Sequence, residues 1–236
     1  MKITVMTTGR PPAPLDSEHG TYPILFRNLL NGEAARFDFD SVSVFEGEAL
    51  PKAKDLDAIL ITGSPFGVYD KELWIAPLKQ FVREAYEAGV PMVGICFGHQ
   101  IMADALGGDV RKSEKGWGIG RHIYEVTARP DFMADAPAQL AIPASHQDQV
   151  IVPPKDTQVL LKSEFTPNAG LYYANGRALS FQPHPEFPPD FASALHDMRH
   201  RTRAGETAVN AAIESLKQPT DRALLGKYIV RFFDAA

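Results

Sequence analysis

The chain holds one cysteine among its 236 residues, so no internal disulfide can form. That excludes a disulfide-stapled secreted scaffold and makes a reducing, cytoplasmic setting the expectation. Long hydrophobic runs are missing too. The longest apolar stretches, residues 58–62 and 90–97, are far too short to span a bilayer, so no membrane role is expected. The N-terminus runs directly into a strand-like segment at residues 2–7, without the apolar core and cleavage site of a signal peptide. An excess of basic charge is also lacking: the formal net charge is −5, which argues against a nucleic-acid partner, since phosphate binding needs a concentrated basic surface. What remains is an ordinary globular composition, 44% apolar and 22% charged, in a chain long enough for one large core.

Short, continuously apolar segments alternate with helical patterns in the first half. Strands are expected over 2–7, 37–45, 57–62 and 91–95, and helices over 21–31, 74–88 and 98–106, with Asn31-Gly32, Gly89 and Gly107-Gly108 as stops. Strands without polar alternation are buried on both faces. The expected fold is therefore α/β, a three-layer sandwich with a mostly parallel central sheet of flavodoxin-like type. Ligands in such sheets bind beyond the carboxyl ends of the strands, the edge on which residues 7–10, 63–67 and Cys96 should fall. Residues 109–186 carry shorter strand-like pieces, at 121–127, 149–152, 157–162, 169–173 and 177–182, expected to extend the sheet in antiparallel fashion. Three helices follow, over 191–203, 208–217 and 221–233. Residues 1–236 read as a single domain in which 190–236 form a helical C-terminal extension, placed either to cover a sheet edge or to form a homodimer contact.

The segment Gly94-Ile95-Cys96-Phe97-Gly98 sits where a strand meets a helix. A nucleophile on such a tight turn needs small residues two before and two after it, and Gly94 and Gly98 supply them. The turn exposes the sulfur to a helix N-terminus and offers the Phe97 N–H to a developing oxyanion. A structural thiol between two packing glycines is the plain alternative. At the end of another strand lies Phe181-Gln182-Pro183-His184-Pro185-Glu186-Phe187. In an extended segment His184 and Glu186 share a face, and a carboxylate there holds an imidazole in one tautomer and orientation.

Taken with Thr62-Gly63-Ser64-Pro65 and Gly98-His99-Gln100, these blocks resemble those of the class I, or triad, glutamine amidotransferases. The likeness runs from about residue 40 to 190. It is nearest to stand-alone members similar to the amidotransferase domain of GMP synthetase. The resemblance implies that Cys96 attacks the glutamine amide carbon, that His184 relays protons and that Glu186 orients His184. It further implies oxyanion donors at Gly63 and Phe97 and glutamine contacts at Gln100, Ser145, His146 and Gln147, with Gln147 standing where relatives commonly have glycine. No cofactor or metal is implied. His146 is the alternative base, but it lacks the adjacent glutamate and the proline frame.

Two other patterns were weighed. Gly116-Trp117-Gly118-Ile119-Gly120 lacks the strand before and helix after that a dinucleotide loop requires, and reads as a turn; the resemblance implies that it walls the site. His196 and His200 have the spacing of a zinc pair but no third ligand and three arginines nearby, so a solvated basic helix end is expected. Nothing in the chain looks like a synthase. The expected function is a glutaminase, with glutamine or another γ-glutamyl compound as substrate and a synthase partner as one destination for the ammonia. The alternatives are a stand-alone γ-glutamyl peptidase or hydrolase, and a non-enzymatic Cys-elbow redox sensor or chaperone. The role assignment ranks two variants: His184→Ala should lower kcat for glutamine hydrolysis by about 10²–10⁴-fold and Glu186→Gln by less, read by ammonia release.

Overall fold

The computed structural model describes residues 1–32 and 36–236. The strands are β1 (Lys2–Thr7), β2 (Asp38–Ser43), β3 (Ala58–Ile61), β4 (Met92–Ile95), β5 (Asp109–Lys112), β6 (Gly118–Val126), β7 (Gln139–His146), β8 (Asp148–Val152), β9 (Gln158–Lys162), β10 (Gly170–Tyr172) and β11 (Ala178–Phe181). The helices are α1 (Leu15–His19), α2 (Tyr22–Asn31), α3 (Ile75–Glu87), α4 (Phe97–Ala105), α5 (Pro189–Ala204), α6 (Glu206–Ser215) and α7 (Arg222–Asp234). A nine-stranded sheet runs β2-β1-β3-β4-β11-β10-β9-β6-β7, and β5 pairs with β8 in a small separate ribbon. β2, β1, β3, β4 and β11 are mutually parallel, and the strands from β10 onward pair antiparallel. The expected α/β sandwich is the observed one.

Side-chain alternation explains why the central strands carry no polar stripe. On β3, Ala58 and Leu60 join a core shared with Phe26 of α2 and Ile229 and Phe232 of α7. Ile59 and Ile61 point the other way, into a core with Leu78 and Phe81 of α3 and Phe97 and Ile101 of α4. Every residue of β3 is fully buried. Each such aliphatic side chain contributes about 1.5–3 kcal/mol relative to exposure.

Several elements differ from the sequence reading, and β8, expected to extend the sheet, pairs instead with β5. β7 is absent from that reading because Pro143 interrupts the pattern. The strand lies at the end of the sheet order, where a missing N–H costs no ladder bond, and the Pro143 carbonyl accepts the His184 N–H at 2.8 Å. The strand expected over 37–45 stops at Ser43 and gives way to a tight helical turn at Val44–Glu46. The short α1 and β5 were not anticipated either.

The C-terminal helices close the β6 edge. The Gly120 N–H donates to His196 Nε2 at 3.1 Å, and the Arg121 N–H donates to Ser215 Oγ at 2.9 Å. Gly120 has φ +88°, and a Cβ there would lie 2.9 Å from the Ala212 Cβ, so α6 approaches as close as it does only because this residue is glycine. At the start of α7 the Asp221 carboxylate accepts the Ala141 N–H (2.8 Å) while the Asp221 N–H donates to the Ala141 carbonyl (2.7 Å). Asp221→Ala strands the N–H of buried Ala141. It should lower unfolding stability by about 1–3 kcal/mol, read as a fall in the urea midpoint.

Candidate active site

Cys96 lies between β4 and α4 with φ 55° and ψ −103°, a left-handed conformation for a residue that carries a Cβ. Such strain costs about 1–3 kcal/mol and persists only where the surroundings enforce it. Here they do. The Cys96 N–H donates to the Phe181 carbonyl of β11 (2.8 Å), and the Cys96 carbonyl accepts the Gln100 N–H (3.0 Å) as the first bond of α4. A Cβ on Gly98 would sit 2.2 Å from the Ile61 carbonyl oxygen, and one on Gly94 would sit 2.5 Å from the Gly98 carbonyl. Glycine at both positions is therefore a packing requirement of the turn.

His184 and Glu186 follow β11, the parallel neighbour of β4. The His184 Nδ1 lies 2.6 Å from Glu186 Oε1, and both side chains are buried. A Cβ on Gly63 would lie 3.0 Å from His184 Cε1 and 3.7 Å from Cys96 Cβ, so the glycine loop, the thiol and the imidazole converge on one point. Burial works to lower the basicity of His184. The Glu186 carboxylate, then Cys96, act against it, and the net shift is well upward from the ordinary histidine value. His184 therefore stays cationic through neutral pH.

The pair is clamped from two sides, and the glycine loop opposite it is braced as well. Phe187 stacks on the His184 ring, with centroids 4.0 Å apart and planes 6° from parallel, and Tyr22 of α2 stacks on Phe187 in turn. The guanidinium of Arg222, from α7, donates to the Pro185 carbonyl at 2.8 Å and the Glu186 carbonyl at 3.3 Å. Thr8 braces the glycine loop, its Oγ1 lying 3.0 Å from the Thr62 carbonyl oxygen and 3.1 Å from that of Gly63. Phe97 is the first residue of α4, so its N–H has no intrahelical acceptor.

A cavity of about 490 Å³ opens above Cys96. Gln100, Ser145, His146 and Gln147 all line it, as their expected roles require. The Gln100 amide already donates to the Asp148 carbonyl at 2.9 Å, while the Gln147 carbonyl accepts the Ser113 N–H at 3.1 Å. His146 stands apart from the His184–Glu186 pair in its bonding. Its Nδ1 lies 3.2 Å from the Asp148 carbonyl, and burial first, then the charge of His122, lowers it to about 3.

The solvated basic helix end expected at His196 and His200 is corrected by the structure: both rings are buried. His200 Nε2 is 3.1 Å from Ser145 Oγ, and His196 is the Gly120 acceptor. Burial lowers His196 to about 3, with His200 as the next cause, and lowers His200 to about 4, with Arg203 and Arg199 adding to it. The arginines on α5 face outward or into the cavity, while the i, i+4 face of the two histidines packs on the sheet. Trp117 also lines the cavity, its ring centroid 4.4 Å from that of His200, in keeping with the walling role implied for the 116–120 turn. Sequence reasoning missed Arg199, Arg203 and Arg222 and misread His200, whereas Thr8 falls within the 7–10 segment expected on the ligand edge. Only the Phe187 stacking had a local signal, since that residue adjoins the Pro-His-Pro-Glu block.

A thiol on a strained strand-to-helix turn, facing a carboxylate-held imidazole across a glycine loop in a parallel α/β sheet, defines the thiol amidohydrolase class. The model of the family "Glutamine amidotransferase class-I" matches residues 30–194, and this chain belongs to that family. It is 31% identical over 195 residues to gamma-glutamyl peptidase 4 of Arabidopsis thaliana, covering 79% of this chain and 75% of that protein. It is 34% identical over 135 residues to the glutamine-hydrolyzing GMP synthase of Aquifex aeolicus, covering 57% of this chain and 25% of that one. The crystal structure of a glutamine amido transferase from Methylobacillus flagellatus shares the fold, with a TM-score of 0.78 at 20% identity over 99% of this chain and 92% of that one. The chain is thus an enzyme, and the non-enzymatic alternative falls away. Among the described residues no helix is long and apolar enough to cross a membrane.

Because the Glu186 carboxylate helps hold His184 cationic, its removal lowers the pH at which the imidazolium deprotonates. Glu186→Gln should move the alkaline limb of the kcat–pH profile for glutamine hydrolysis to lower pH, toward the ordinary histidine value of about 6.5. An unmoved limb would contradict the electrostatic role.

Proposed function

We propose that the protein hydrolyses the side-chain amide of glutamine through a Cys96–His184–Glu186 triad and a γ-glutamyl thioester. The observation that carries this reading is the 2.6 Å His184–Glu186 contact beside the strained Cys96 turn. The Cys96 thiolate attacks the amide carbon, forming a C–S bond, and the carbonyl electrons move onto oxygen. The Gly63 and Phe97 N–H groups meet that oxyanion. Collapse breaks the C–N bond, the proton on His184 passes to the departing nitrogen, and ammonia leaves. His184, now neutral, removes a proton from water, which attacks the thioester. Glutamate departs and the thiolate–imidazolium pair is restored. Glu186 remains ionised and keeps the His184 ring in the plane in which Nε2 faces the sulfur. Gln100, Ser145, His146 and Gln147 hold the glutamyl portion.

The ammonia has a synthase chain as its proposed acceptor, by analogy with the GMP synthase whose amidotransferase part this chain resembles. In a second reading the same cycle releases an amine from a γ-glutamyl amide without a partner. The size of the cavity favours it, since 490 Å³ is within the range of about 300–1,000 Å³ that holds drug-sized ligands, as does the likeness to gamma-glutamyl peptidase 4. A glutamine-analogue diazo ketone should label Cys96 stoichiometrically, and Cys96→Ala should abolish both labelling and ammonia release while leaving the melting temperature close to that of the parent. Labelling elsewhere, or turnover surviving in Cys96→Ala, would overturn the thiol mechanism. Weak turnover that a synthase chain strongly stimulates would support ammonia donation, whereas fast partner-free turnover would support the hydrolase reading.

A further inference from the structure

Two of the cations around the cavity have no carboxylate partner among the described residues. Two carboxylates line it, Asp70 and Asp148, and both already accept protein donors: the Gly67 N–H at 2.8 Å and the Tyr69 hydroxyl at 2.8 Å. Three cations line it, Lys112, Arg199 and Arg203. Among the described residues neither guanidinium has a carboxylate within salt-bridge distance. Arg199 instead donates weakly to the Arg10 carbonyl, and Arg203 lies over the Trp117 ring at 5.8 Å. The two poles sit at opposite ends of the β7–β8 turn. Ser145 is tied to His200 on the α5 side, while Asp148 is tied to Tyr69 on the side of the loop after β3.

Free glutamine carries one ammonium and one carboxylate, so it brings a single carboxylate to the two unpaired guanidinium groups. A γ-glutamyl amino acid carries one ammonium and two carboxylates. Its extra carboxylate belongs to the leaving amine. Guanidinium groups pair with carboxylates in a planar, two-point fashion, and the Trp117 ring holds Arg203 in place before ligand arrives. The indole also offers an apolar wall for the carbon skeleton of the leaving group.

We propose that Arg199, Arg203 and Trp117 form a leaving-group subsite for the carboxylate of the departing amine, which makes γ-glutamyl amino acids and peptides with a free carboxylate the substrate class. This rests on the hydrolase form of the thioester reaction proposed above. The bond made and broken is the same: water adds across the γ-amide, giving glutamate and the free amino acid.

The test compares γ-glutamylglycine with γ-glutamylglycinamide, which differ only in that carboxylate, and includes free glutamine. The parent enzyme should favour the glycine compound by about tenfold or more in kcat/KM, the scale of one charge-assisted hydrogen bond. In Arg199→Gln/Arg203→Gln that ratio should fall to near one. The ratio is internal, so a general loss of activity does not mimic the result. Equal turnover of the two compounds by the parent enzyme overturns the subsite. So does a preference that survives the double substitution. Loss of both compounds in equal proportion would place the arginines on the glutamyl α-carboxylate and also refute it. If none of the three compounds is hydrolysed, the thioester reading itself fails. Calorimetric binding of the glycine compound and its amide to Cys96→Ala then still decides the subsite, with equal affinities counting against it.

Discussion

The turn at Cys96 is the constraint on which the rest of the structure depends. A side-chain-bearing residue holds a left-handed conformation there because the strand before it and the helix after it leave no other path. The helix can start so abruptly only because Gly98 lies flush against the Ile61 carbonyl of β3, and Gly94 against Gly98 itself. The close approach locks β3, β4 and α4 into one rigid corner. It also points the N-terminus of α4, where the Phe97 N–H has no intrahelical acceptor, toward the thiol. In the proposed mechanism, strain at the thiol and stabilisation of the oxyanion thus have one geometric origin.

The second corner is built differently. His184 and Glu186 lie on an irregular segment after β11, and nothing in the local backbone fixes them as the tight turn fixes Cys96. Distant parts of the chain hold them instead: the Phe187–Tyr22 stack on the ring, the Arg222 guanidinium on the Pro185 and Glu186 carbonyls, and the Pro143 carbonyl on the His184 N–H. Two of these supports come from α2 and α7, which lie on the same face of the sheet. The C-terminal helices are therefore part of the site. α5 walls the cavity, α6 closes the β6 edge, and α7 braces the glutamate loop.

Within the cavity, burial sorts the histidines into two kinds. His184, paired with a carboxylate, stays charged. His146, His196 and His200, paired with carbonyl, hydroxyl or backbone N–H groups, are held neutral. The imidazole beside the thiol is thereby the one whose charged form is favoured. The remaining cationic groups are Lys112 of β5 and the arginines of α5, which line the cavity wall.

How much of this could be read from residues alone followed from range. The β-α-β order and the burial of the central strands were legible, since apolar continuity over four to six residues records burial on both faces. The elbow and the Pro-His-Pro-Glu block were legible because the residues that each function needs lie within a few positions of one another. β7 was not, because Pro143 reads as a break unless its place at the end of the sheet is known. The two α5 histidines were misread because their arginine neighbours suggested water. Helical periodicity puts the imidazoles of His196 and His200 onto β6 and β7, and only the docking of α5 reveals which face is which. The sequence by itself therefore determined which residues are the candidates for nucleophile, base and orienting carboxylate, since Cys96, His184 and Glu186 each sit in a short, recognisable segment. Tertiary structure alone decided what surrounds them. Arg199, Arg203 and Arg222 are far from Cys96 along the chain, and a contact between remote segments leaves no trace until the chain has packed.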